Sequence, residues 1–180
     1  MVLPAVHLCS GYAGMELALR GIARTVAHVE RDAYAAATLV ARMEAQELDQ
    51  APVWSDLCTF DARAWRGRVA LITAGFPCQP FSSAGRKLGT DDDRWLWPEI
   101  ARIIRDMEPE YVFLENVPGV VRAGLAHVLG DLAELGFDAE WGLLAASAVG
   151  LATTHRPTQG PMLHDRHPRR RVAHTFGRDW

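Results

Sequence analysis

Short apolar runs alternate with helix-forming stretches along most of this chain, and that alternation limits the folds open to it. Residues 3–9 read as a strand, 10–14 as a glycine-bearing turn, and 15–20 as the opening of a helix. A second strand is predicted over 25–30, followed by an Ala-rich helix capped by Asp32 and running to about residue 46. Further strands are predicted over 53–55, 69–74 and 111–114, with a helix over 99–107 ended by Pro109. A helix over 122–135, closed by Gly136, precedes an extended stretch from 137 to about 146. Strands and helices alternating at this spacing predict an α/β fold with a doubly wound parallel sheet.

The chain has 180 residues, enough for one domain with a proper core, and its 49% hydrophobic and 23% charged content is ordinary for a globular protein. Cys9, Cys58 and Cys78 form no CxxC pair and follow no secretory signal, so reduced thiols and a cytoplasmic location are expected. No apolar stretch has the length of a membrane span, and the scattered Cys and His residues predict no metal site. Charge is divided unevenly. Residues 1–152 hold 13 Lys and Arg against 20 Asp and Glu, whereas 153–180 hold six Arg against two Asp. An acidic body does not bind nucleic acid through its overall field, so any such contact needs a local patch or a partner.

The chemistry-bearing residues follow predicted strands. Cys78 lies in Pro77-Cys78-Gln79-Pro80, just beyond the run 69–74, where open α/β sheets form their ligand crevice. The flanking prolines stiffen its backbone, so it is either a structural residue or a nucleophile. The 10–14 turn carries two glycines that let backbone approach a ligand, though not with the GxGxxG spacing. Glu30, ending the second strand, is either a surface carboxylate or an acceptor for ribose hydroxyls, and Asp56 fits a second contact to the same ligand. Glu115 and Asn116 follow the fifth strand. A carboxylate there disfavours a thiolate but can serve a substrate as an acid.

Three motifs, Leu8-Cys9-Ser10-Gly11-Tyr12-Ala13-Gly14, Gly75-Phe76-Pro77-Cys78-Gln79-Pro80-Phe81-Ser82 and Glu115-Asn116-Val117, together resemble those of the cytosine-C5 DNA methyltransferases. Their order and spacing agree, as do Glu30 and Asp56, and the resemblance covers about residues 4–150. It implies a Rossmann-like, S-adenosylmethionine-dependent methyltransferase domain over 1–150 that acts on DNA. Cys78 would attack C6 of a flipped cytosine, Glu115 would act at N3, and Asn116 would position the cysteine loop. The cofactor pocket would comprise Cys9, Ser10, Gly11, Tyr12, Gly14, Glu30, Asp56, Leu57, Pro77, Trp95 and Leu96. Gln79, Ser82, Ser83, Gly85 and Arg86 would belong to a substrate loop that closes over the base.

The chain departs from the family pattern in two places. Cys9 stands where the family usually has an aromatic residue, and His7 where it usually has an acidic one. An arginine-rich motif followed by a strand is expected soon after residue 150, but the chain reads Leu151-Ala152-Thr153-Thr154-His155-Arg156-Pro157. Residues 151–180, rich in Arg, Pro and His, are expected to be a basic disordered tail that reads as out of frame. The domain is therefore expected to be truncated, lacking its last strands and target-recognition region. The alternatives are a catalytically silent binding module, half of a split enzyme completed by a second polypeptide, and an RNA cytosine-C5 methyltransferase.

Overall fold

The computed structural model describes residues 2–76, 95–117, 119–143 and 170–176. The chain forms two compact units, Met1–Phe76 with Trp97–Phe113 and Pro77–Leu96 with Leu114–Trp180.

In the first unit, β1 (Leu3–Leu8) pairs in parallel with β2 (Ala23–Val29) on one side and β4 (Leu71–Gly75) on the other. β3 (Val53–Trp54) extends the sheet beside β2, and β5 (Tyr111–Asn116) lies beside β4. The order β3-β2-β1-β4-β5 reverses direction of growth between β1 and β4. Because these neighbours are parallel, β1, β2, β3 and β4 end on the same side of the sheet. Residues 9, 30, 55 and 76 follow those ends, and this is where a doubly wound sheet opens a crevice.

Hydrophobic periodicity accounts for the helices around it. In α2 (Ala33–Glu44), Ala35, Leu39 and Met43 recur every fourth residue and are buried. Leu39 and Met43 pack with Ala13 and Leu48. Asp32 caps this helix as predicted, its carboxylate accepting the Ala35 amide at 2.8 Å. α3 (Trp97–Met107) buries Trp97, Ile100, Ala101, Ile103, Ile104 and Met107. α1 (Gly14–Ala18) is a single short turn of helix.

The second unit contains the end of β5, α4 (Val120–Ala123), α5 (Leu125–Glu134), β6 (Phe137–Leu143) and β7 (Arg170–Phe176). The single helix predicted over 122–135 is divided at Gly124, which caps both pieces at φ −119°. Glycine is a poor helix former, and here the backbone departs from helical geometry. Gly136 closes α5 as expected, with φ 84° and its amide bonded to the Ala133 carbonyl at 3.0 Å.

The C-terminal stretch departs from the sequence reading. Residues 170–176 are not a tail without regular structure: they form β7, parallel to β6 from Phe137↔Arg170 to Leu143↔Phe176 and set between β5 and β6. Arginines followed by a strand therefore do occur after residue 150, later than the sequence reading placed them. Composition predicts disorder there, but the backbone groups of β6 offer a complete row of partners.

Leu39 is fully buried, whereas Val40 beside it is 44% exposed. Leu39→Ala is expected to lower unfolding free energy by about 2–5 kcal/mol, and Val40→Ala by less than about 0.5, in denaturant titrations.

Candidate active site

The site is built from strand ends. After β1 the chain enters a loop with positive φ at Cys9 (52°), Gly11 (51°) and Ala13 (67°). Gly11 takes this conformation freely, but Cys9 and Ala13 hold it at a cost, so the loop must be tied down from outside. Several bonds do so. The Gly11 amide donates to Glu30 Oε2 at 2.7 Å, and the Ser10 amide donates to the Val29 carbonyl at 3.3 Å. The Arg42 guanidinium donates to the Tyr12 carbonyl at 2.8 Å.

Glu30 follows β2 directly. Its other oxygen, Oε1, accepts the Asp32 amide at 2.7 Å, while its own amide donates to the Trp54 carbonyl at 2.8 Å. One carboxylate thus joins the loop after β1 to the start of α2, and the backbone links it to β3. Asp56 follows β3 and accepts the Cys58 amide at 2.9 Å, capping a 3₁₀ turn over Leu57–Thr59. Leu57 is buried beneath that turn.

Cys9 is not a nucleophile. Burial, with the nearby Glu30 carboxylate, pushes its thiol up to about 12, so it stays protonated at neutral pH. The exposed Cys58 thiol is raised as well, by desolvation and by Asp56.

The sequence-predicted residues separate into four groups. Cys9, Ser10, Gly11, Tyr12, Gly14, Glu30, Asp56 and Leu57 belong to the first unit, at or just beyond the ends of β1, β2 and β3. Glu115 and Asn116 form the last two residues of β5, which runs two residues beyond the predicted 111–114. Asn116 is buried, and its side-chain oxygen accepts the Val117 amide at 2.8 Å, which turns the chain as it leaves the sheet. Trp95, buried, and Leu96 precede α3. Pro77, Cys78, Gln79, Ser82, Ser83, Gly85 and Arg86 lie outside the described residues.

Sequence reasoning missed several supporting residues. Phe76, next to Pro77, is buried against Trp97 with ring centroids 6.1 Å apart. Arg102 donates to the carbonyls of Leu57 (2.7 Å) and Phe60 (3.3 Å), holding the Asp56 turn from α3. His7 and His28, opposite each other in the β1–β2 register, are both buried, with stacked rings 5.4 Å apart. A histidine on each of two adjoining apolar strands was the available signal. His7 bonds Thr73 Oγ1 at 2.7 Å and Thr25 Oγ1 at 3.0 Å. Burial, reinforced by His28, lowers its pKa to about 4. The residue standing where the family usually has an acid is therefore uncharged.

A C-5 cytosine-specific DNA methylase family model matches residues 3–156. The chain is 32% identical to the type II methyltransferase M.NgoMIV of Neisseria gonorrhoeae, over 84% of its own length and 49% of that protein. It is 37% identical to M.NaeI of Lentzea aerocolonigenes, over 83% of its length and 37% of that protein. It thus spans half or less of the length of these relatives. The solved structure of a Spodoptera frugiperda DNMT2 mutant shares the fold, with a TM-score of 0.59 at 22% identity, covering 78% of this chain and 44% of that one.

The His7 shift has a defined sign. Its folded pKa lies below the unfolded value, so the unfolded state binds more protons between about pH 6.5 and 4. Stability is expected to fall by roughly 3 kcal/mol as pH drops through that window. Denaturant titrations should show a weaker pH dependence in His7→Gln.

Proposed function

The chain belongs to the C-5 cytosine-specific DNA methylase family, and on that premise we propose that it binds S-adenosylmethionine and methylates C5 of cytosine in DNA. One observation carries the cofactor reading: a half-buried carboxylate, Glu30, fixes the glycine loop across the ends of two parallel strands. The donor set fits an adenosine-bearing group. Glu30 and Asp56 follow neighbouring strands and offer acceptors for ribose hydroxyls and an exocyclic amine. At Gly11 an added Cβ would meet nothing within 4 Å, so backbone there is open to a ligand.

Bound S-adenosylmethionine supplies an electrophilic methyl group. The chain's own residues prepare the acceptor. Cys78, as thiolate, forms a bond to C6 of a cytosine turned out of the stack, which makes C5 electron-rich. Glu115 holds a proton at N3 and offsets the charge that develops on the ring. Once C5 carries its methyl group, loss of the C5 proton and departure of the Cys78 thiolate restore the aromatic ring. Gln79, Ser82, Ser83, Gly85 and Arg86 serve the substrate, and Trp95 and Leu96 serve the cofactor. Asn116 sets the direction of the chain just after Glu115.

Transfer of a labelled methyl group to duplex DNA and to RNA tests this reading. Wild type is expected to label cytosine in DNA, and Cys78→Ala to abolish it. A folded sample that labels neither polymer, or RNA alone, would overturn the proposal. Glu30→Ala is expected to raise the Kd for S-adenosylmethionine by about tenfold or more, measured calorimetrically.

A further inference from the structure

Beneath the loop at 9–14 lies a set of buried polar groups that the reaction above does not use. His28 is fully buried, and its two ring nitrogens have different partners. Nδ1 lies 3.0 Å from Ser10 Oγ, and Nε2 lies 3.2 Å from Glu16 Oε2. Both Nε2 and that carboxylate oxygen are shut off from solvent, with no other hydrogen-bond partner.

The Ser10 hydroxyl also lies 2.9 Å from the His7 carbonyl, so one side chain joins the end of β1 to His28. An imidazole carries a polar nitrogen on each side of its ring, so His28 bridges Ser10 to Glu16 across the buried space between them. Burial opposes ionisation of Glu16, but its contacts with His28 and Thr25 hold its carboxyl below the usual range.

His7 Nε2 lies 3.0 Å from Thr25 Oγ1 and His7 Nδ1 2.7 Å from Thr73 Oγ1, so polar contacts continue from β2 through β1 to β4. The other titratable groups facing this cluster are His7 itself and Asp49, whose carboxylate accepts the Thr25 amide at 2.8 Å.

We infer that His28 is a positioning residue: braced by the buried Glu16 carboxylate, it pins Ser10 and so holds the strained loop at 9–14 in its ligand-ready form. The importance of that loop rests on the cofactor reading above, but the pinning is a property of the free protein.

Two measurements on the full chain test it. The imidazole 15N resonances of His28 should shift from their wild-type positions when either Ser10 or Glu16 is replaced by Ala. Resonances unchanged by both substitutions would overturn the inference. Hydrogen exchange without ligand should then show amides 9–14 opening at least about tenfold faster in Glu16→Ala, with α2 unchanged. Glu16→Gln, which restores a bond without the charge, should recover most of the protection. No acceleration at 9–14, or an equal rise throughout the first unit, would count against positioning. Failure of wild type to bind S-adenosylmethionine would count against the cofactor reading alone.

Discussion

β1 is paired with β2 from Leu3 to Leu8 and with β4 from Ala5 to Leu8, and its residues from Ala5 to Leu8 are buried. A strand in that position has no freedom to slide, because a one-residue slip would exchange its two faces. Its fixed end determines where the loop at 9–14 begins, and therefore where Gly11 can meet Glu30. The same constraint makes a polar residue within it expensive unless every hydrogen-bonding atom finds a partner. His7 meets that condition through Thr25 and Thr73, on the strands either side.

Much of this architecture was legible in the sequence, because local signals and tertiary demands agree. Asp32 is a good cap before an Ala-rich helix, and the structure uses it as one. Gly136 stands where a helix must end, and its positive φ ends it. The parallel, doubly wound character of the sheet follows from the alternation. The positions of Glu30 and Asp56 could also be read, since each comes directly after an apolar run.

What could not be read depends on contacts distant in sequence. β7 has a composition that argues against order, and pairing with neighbouring strands makes it a strand. The roles of His28 and Glu16 appear only when β2 and α1 are brought within 3.2 Å. Cys9 shows the reverse: the sequence offers a thiol in a ligand loop, and burial beside a carboxylate leaves it inert.

α3 grips two loops at once. Trp97 packs on Phe76, the residue leading into Pro77-Cys78, while Arg102 ties down the turn after Asp56. An α-helix advances about 100° per residue, so these two grips share one fixed angular relation. Inserting or deleting a single residue between 97 and 102 would swing one side chain away from its loop while the other stayed in place. That short stretch can therefore change its residues far more readily than its length.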